Sequence, residues 1–273
     1  MNQLVGEKLS IATFKAQTTR HRIMGIVNTD DAQIVFSDTP GVLKPNYKMQ
    51  EMMLQFSESA LADADILLYV TDVVENPEKN MDFLDKVSKM TIPVILLINK
   101  IDESDQKKLG NLVETWHKLL PDAEILPLSA KNKFGIDILM KRILELLPES
   151  PAFFDKDQLT DKPAKFFVSE IIREKILRYY DKEIPYSVEV VIERFKEDDR
   201  QIHINAIIYV ERSSQKGIII GHQGMALKKV STEARKSLER FFDKKIFLET
   251  YVKVDKDWRN SQKELNNFGY NPE

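Results

Sequence analysis

The chain has 273 residues, 42% of them hydrophobic and 30% charged, with a net charge of -3; this is the composition of a folded protein of one large or two medium domains, not of a disordered chain. No run approaches about 18 uninterrupted apolar residues, and the start Met1-Asn2-Gln3-Leu4 lacks a basic stretch followed by an apolar block, so neither a membrane-spanning helix nor a secretory signal is expected. The lack of cysteine excludes disulfides, thiolate zinc sites and cysteine nucleophiles and suits a reducing cytoplasm, while four scattered histidines argue against a structural metal site.

Taken in chain order, His21 to Asn28 and Ala32 to Phe36 flank the turn-forming pair Asp30-Asp31 and predict an antiparallel hairpin. The short apolar runs Ile66 to Val70, Val94 to Ile98 and Ile125 to Leu128 read as strands buried on both faces, because they are apolar without clean alternation. Helices fit between them, over Met49 to Leu61, Asn80 to Met90, Asp105 to Leu119 and Gly135 to Leu147. Strands alternating with helices predict a mostly parallel sheet covered by helices.

Pro148-Glu149-Ser150-Pro151 stops the last of these helices. The expected organisation is a first domain over 1–150, a linker over 151–163 and a second domain over 164–273. In the second, Phe167, Ile171, Ile172, Ile176 and Tyr180 recur at helical spacing, whereas Tyr186, Val188, Val190 and Ile192 alternate with polar residues as a half-buried strand does. Ile202 to Val210 supplies its partner, Met225 to Phe242 is helical, and Ile246 to Val254 closes a three-stranded sheet with one covered face. Charge divides the same way: residues 1–159 carry 18 Lys and Arg against 24 Asp and Glu, and the remainder 22 against 19, so the second part is the better suited to a polyanion.

Three clusters stand at strand ends, where ligands bind in open α/β sheets. Asn99-Lys100-Ile101-Asp102 follows Val94 to Ile98. A carboxylate such as Asp102 can accept both adjacent N–H donors of guanine, a pair that adenine lacks, while an Asn can hold the opposite base edge, as Asn99 would, and the Lys100 stem can lie over the ring. Asp38-Thr39-Pro40-Gly41 follows Ile34-Val35-Phe36; a carboxylate there can hold Mg²⁺ through water, and Gly41 lets a backbone N–H approach a terminal phosphate. Ser129-Ala130-Lys131 ends the strand Ile125 to Leu128, with backbone N–H groups that could face a base carbonyl. Taken singly, each also reads as a polar turn.

Their order and spacing resemble the guanine-nucleotide-binding GTPases, and Lys15-Ala16-Gln17-Thr18-Thr19-Arg20-His21-Arg22 is similar to the switch segment of the Era family. There a Thr hydroxyl completes the magnesium shell, which the resemblance assigns to Thr19 first and Thr18 second. Val42 stands where Ras-like proteins carry a water-orienting Gln, so intrinsic hydrolysis should be slow. The second half points to the same family. Gly221-His222-Gln223-Gly224 lies between Ile218-Ile219-Ile220 and a helix containing Lys228 and Lys229, and the helix-strand-strand-helix-helix-strand order resembles a type II KH domain. In that module the Gly-x-x-Gly turn lets RNA phosphates approach the backbone, with basic side chains such as Lys216, Lys228 and Lys229 around it. Pro185-Tyr186-Ser187-Val188, Glu193-Arg194-Phe195, Trp258-Arg259 and Phe268-Gly269-Tyr270 also resemble Era.

The fold class is therefore α/β: a P-loop-NTPase-like, mostly parallel sheet followed by an α+β type II KH domain. The resemblance implies GTP or GDP with Mg²⁺ as cofactors and binding to the 3′ end of small-subunit (16S) ribosomal RNA during 30S assembly. It further implies a cytoplasmic monomer and peripheral association with the inner membrane, which nothing in the composition shows. One departure matters. No Gly-x-x-x-x-Gly-Lys-Ser/Thr loop occurs in the sequence, and residues 1–10 look like family sequence just after that loop. Met1 then reads as an internal methionine, a first central strand is missing, and GTP binding by the chain as written is expected to be weak. The rival expectations are a non-enzymatic KH-type RNA-binding protein with a vestigial G domain, and a GTPase of unrelated process that uses its second domain for protein contacts.

Overall fold

The computed structural model describes residues 1–13, 15 and 17–271. The chain divides into two compact units: Met1–Lys8, Gly25–Ser37 and Ser57–Leu159 form the first, and Leu9–Met24, Asp38–Phe56 and Thr160–Glu273 the second. The hairpin strands β1 (Ile23–Asn28) and β2 (Gln33–Asp38) and the helix α2 (Lys48–Ala62) therefore cross from one unit to the other.

The first unit opens with the short helix α1 (Asn2–Val5) and continues after α2 as β3 (Leu67–Asp72), α3 (Met81–Ser88), β4 (Val94–Asn99), α4 (Gln106–Leu119), β5 (Glu124–Pro127) and α5 (Ile136–Leu146). The hairpin turn closes because the Thr29 N–H donates to the Ala32 carbonyl and the Ala32 N–H to Thr29 Oγ1. Strands β3, β4 and β5 pair in parallel in that order, Leu67 opposite Val94 and Ile95 opposite Glu124, with a helix in each crossover as parallel pairs require. Both faces are covered. Ile95 and Leu97 pack with Ile34, Phe36, Leu128, Leu139 and Ile143, whereas Leu96 and Ile98 pack with Leu84, Val87, Trp116 and Leu120, which is why this strand reads as an unbroken apolar run.

Strand β2 is hydrogen-bonded within a two-stranded sheet with β1, and β3 belongs to the separate sheet of β3, β4 and β5. Ile34 and Phe36 of β2 nevertheless share one core with Leu68, Ile95 and Leu97. Two strands thus meet around common side chains without a ladder between them. Val70, on the β3 edge, is 60% exposed.

The second unit contains α6 (Ala164–Tyr179), β6 (Val188–Glu197), β7 (Gln201–Val210), α7 (Ser213–Ile220), α8 (Met225–Phe242), β8 (Lys245–Val254) and α9 (Gln262–Asn267). The order of the first six is the one the periodicities predict; α9 lies outside that expectation. Strand β7 is central, antiparallel to β6 and parallel to β8. Between β6 and β7, Asp198 Oδ1 accepts from the Arg200 and Gln201 N–H groups and so forms the solvated hairpin loop. Val188, Val190, Ile202, Ile204, Ala206, Ile208 and Val210 pack under Val168, Ile172 and Ile176 of α6 and Val230, Ala234 and Leu238 of α8.

Two early segments belong to this unit because their side chains are anchored in it. Met49, Met52, Met53 and Phe56 of α2 form one cluster with Trp258, Leu265 and Tyr270. His21 packs its ring 4.4 Å from Tyr270, 5.7 Å from Phe166 and 5.8 Å from Phe56. Burial, reinforced by the cations Arg173, Lys162 and Arg20, pushes its pKa down to about 3. The neutral ring is the one the fold holds, while the unfolded histidine takes up a proton near pH 6.5. Stability from this site is thus fully present above pH 6.5 and is lost as pH falls toward 3. Urea unfolding at pH 7 and pH 5 should show a loss of about 1 to 2 kcal/mol, and the H21F variant should lose less over the same interval.

Candidate nucleotide and nucleic-acid sites

In the first unit, β4 ends at Asn99 and the chain turns through Lys100, whose φ of 61° lies in the left-handed region. A non-glycine residue held there marks a backbone constrained by its surroundings. Asn99 Oδ1 accepts from the Lys100 N–H at 2.8 Å and from the Ala130 N–H at 3.0 Å. The Ala130 N–H thus pins its loop to the end of β4. Ser129 Oγ donates to Asp102 Oδ1 at 2.6 Å, and this bond holds the Asp102 carboxyl below the usual carboxylate range. Asp102 is ionised at neutral pH and purely an acceptor, which fits the paired N–H donors of guanine.

Lys100 Nζ reaches Asp72 Oδ2, at the end of β3, across 2.5 Å. Asp72 Oδ1 accepts from the Val74 and Glu75 N–H groups, each at 2.9 Å. Burial acts to raise the Asp72 carboxyl, but the Lys100 ammonium and those two N–H groups together hold it below its usual value. Asp72 carried no role in the sequence, since a lone aspartate after a strand reads as a turn residue. Its signal was the position one strand over from Asn99, which only the parallel register of β3 on β4 makes into a contact.

In the second unit, Asp38 stands at the end of β2 with Oδ2 accepting from Ser10 Oγ at 2.5 Å and from Thr19 Oγ1 at 3.4 Å. The pair named for magnesium, Asp38 and Thr19, is thus brought together, and the Thr18 backbone carbonyl accepts from Arg173. One carboxylate with hydroxyls beside it fits Mg²⁺ that keeps several waters and takes phosphate oxygens, rather than a site made of protein alone. Among the described residues no group of three or more His, Cys, Asp or Glu could hold a metal ion. A Cβ at Gly41 would meet no atom within 4 Å, so packing places no demand for glycine there. Ala16 of the segment lies outside the described residues.

The Gly221-His222-Gln223-Gly224 turn joins α7 to α8. Gly221 has φ 70° and Gly224 φ 73°, and Gln223 between them is also left-handed at 49°. His222 and Gln223 are exposed. Helix α8 begins on Gly224 with no side-chain cap and no acidic residue in its first turn, so its N–H groups and the positive end of its dipole favour an anion. Lys228 and Lys229 are exposed on that helix, and Lys229 Nζ lies 4.5 Å from the Tyr179 ring; Lys216 sits on α7. Behind the turn, Tyr180 Oη donates to the Ile219 carbonyl at 2.6 Å and ties the end of α7 to α6. A Cβ at Gly221 would stand 2.6 Å from Ala226 Cβ, whereas one at Gly224 would meet nothing. Gly221→Ala should therefore cost about 2 kcal/mol in denaturant unfolding and Gly224→Ala about 1 kcal/mol.

A buried polar cluster that the sequence did not reveal ties the switch-like segment to the second unit's sheet. Arg20, 2% exposed, donates to the carbonyls of Val188 and Pro185 and to Glu189 Oε2. Glu189 also accepts from Tyr270 Oη at 2.8 Å. Burial raises the Glu189 carboxyl against the pull of Arg20 and Arg173. Arg173 is bidentate to Glu170 and donates to the Thr18 carbonyl. The candidate magnesium hydroxyl of Thr19 is thus flanked by two anchored residues. Partners this distant in sequence leave no periodicity to read.

Residues 1–100 match the 50S ribosome-binding GTPase family and residues 183–259 the KH domain. GTPase Era of Clostridium kluyveri is 42% identical over 272 residues, 99% of this chain and 93% of that protein. GTPase Era of Leuconostoc citreum is 43% identical, covering 100% and 91%. A crystal structure of Era in complex with MgGDPNP and nucleotides 1506–1542 of 16S ribosomal RNA superposes with a TM-score of 0.94 at 36% identity, covering 98% of this chain and 92% of that one. An Aquifex aeolicus Era variant bound to GDP and AlF4⁻ gives 0.93 at 36%, covering 98% and 93%. With the polar cluster Asn99-Lys100-Ile101-Asp102 at the end of a parallel strand and a Gly-x-x-Gly turn opening a basic helix, this chain belongs to the Era family of GTPases.

Proposed function

We propose that this chain binds the 3′ end of 16S ribosomal RNA through the turn at residues 221–224 and acts in 30S assembly. The observation that carries the reading is the turn itself: two left-handed glycines present exposed His222 and Gln223 at the uncapped start of an 18-residue helix with no acid in its first turn. Phosphates can approach that backbone, and Lys216, Lys228 and Lys229 supply the complementary charge. In the same reading Asp102 and Asn99 select guanine, Lys100 covers the ring, Asp72 positions Lys100, and Asp38 and Thr19 hold the metal. Bound Mg²⁺ would neutralise phosphate charge. The protein acts as a cytoplasmic monomer that touches the inner membrane peripherally.

The test is fluorescence anisotropy with labelled RNA spanning nucleotides 1506–1542. His222→Asp with Gln223→Asp places two negative charges on the turn and should weaken binding about 30-fold; unchanged affinity would refute the reading. Within these 273 residues nucleotide binding is impaired, a reading supported by the missing glycine-rich loop and by the lack of a ladder between β2 and β3.

A further inference from the structure

The second unit's sheet has two faces, and the helices account for one. Ile202, Ile204, Ala206 and Ile208 of β7 with Ile246 and Val252 of β8 point into the core beneath α6 and α8. Residues between them point the other way. One row runs Lys196, His203, Phe247 across the three strands and the next Arg194, Asn205, Glu249; Tyr251 follows beside Ile207, which is 1% exposed, and Tyr209 beyond it packs against Phe268, so the open part of this face is the end that carries the first two rows and Tyr251. Phe247 and Tyr251 are each 50% exposed on the edge strand β8, and the His203 ring lies 5.5 Å from Phe247. Around the rings, Arg194, Lys196, Lys245 and Lys253 are exposed. The acidic residues there are Glu249, which accepts from Tyr251 Oη, Glu193, which pairs with Lys253, and Asp198, whose Oδ2 lies 3.9 Å from His203 Nε2. Cations outnumber acids beside three stackable rings that no core uses.

Resting on the reading of the chain as an RNA binder, we infer that this open face is a second RNA contact, on which Phe247 and Tyr251 stack unpaired bases. Two observations commit it to RNA. Its charge and its aromatic composition are those of a base-stacking platform. And the RNA in the related complex spans nucleotides 1506–1542, whereas a Gly-x-x-Gly turn clamps about four nucleotides, so most of such an RNA lies beyond the turn.

The experiment compares labelled RNA of nucleotides 1506–1542 with a six-nucleotide single strand from its 3′ end, using the full chain. Phe247→Ala with Tyr251→Ala should weaken binding of the long RNA about 10-fold or more and of the short one less than 2-fold. Phe247→Tyr with Tyr251→Phe, which keeps both rings, should bind both as the parent does. Equal losses on the two RNAs, or none on the long one, would overturn the proposal. So would a changed sedimentation coefficient with RNA affinity intact, which would give the face to a second copy of the chain. The His222→Asp, Gln223→Asp variant separates the two ideas: it should weaken both RNAs, and its failure to do so strikes the turn, whereas the platform stands or falls on the long RNA with the Phe247 and Tyr251 variants.

Discussion

Arg20→Ala should destabilise the second unit by about 3 to 5 kcal/mol, because it removes one partner of a buried ion pair and leaves the other in place. Without the guanidinium, the Glu189 carboxyl and the Val188 and Pro185 carbonyls lose their donor in a region closed to water. Tyr270 Oη alone would still serve Glu189. Arg20→Lys keeps a charge but cannot fork to three acceptors, so it should recover less than half of the loss. Arg20→Met combined with Glu189→Gln should be milder than Arg20→Ala, since no carboxyl is then stranded. Urea denaturation followed by tryptophan fluorescence reads the result through buried Trp258. A loss below 1 kcal/mol for Arg20→Ala would mean that the cluster is not the anchor of the 18–22 segment.

The second large effect is on nucleotide. Titrating the 273-residue chain with a fluorescent GDP analogue should give no saturation below about 100 µM, although a nucleotide held at 1 µM corresponds to about -8 kcal/mol. The glycine-rich loop that cradles phosphates, its lysine and its hydroxyl are not among these residues. The proposed base edge has Asp102 ionised beside Ser129, but a base edge alone cannot supply what the phosphate contacts do. Submicromolar affinity would sink this expectation and with it the inference drawn from the separated β2 and β3.

Much of the fold was legible because its elements announce themselves locally. The apolar run of β4, the alternation of β7 and the helical spacing of α6 each record what those segments bury, and the bounds of β4 and β7 move by only a residue. The glycines at 221 and 224 were legible as a turn because few other residues adopt those angles. The rest depended on contacts between distant residues. Arg20 and Glu189 stand 169 positions apart, and neither carries a local pattern; Asp72 meets Lys100 only through strand register. Helix α9 is six residues long, too short to show a period, and its place is set by Leu265 joining the cluster around Trp258.

That the second unit gathers residues 9–24 and 38–56 with residues beyond 159 has a consequence for synthesis. A ribosome releases the amino-terminal segments long before Trp258, Leu265 and Tyr270 emerge, so Met49, Met52, Met53 and Phe56 must wait, uncovered, for nearly the whole chain. Contacts this far apart in sequence favour slow closure and a window for chaperone capture. A fragment cut at residue 164 would inherit the mirror-image problem, with the carboxy-terminal aromatics bared where α2 should lie.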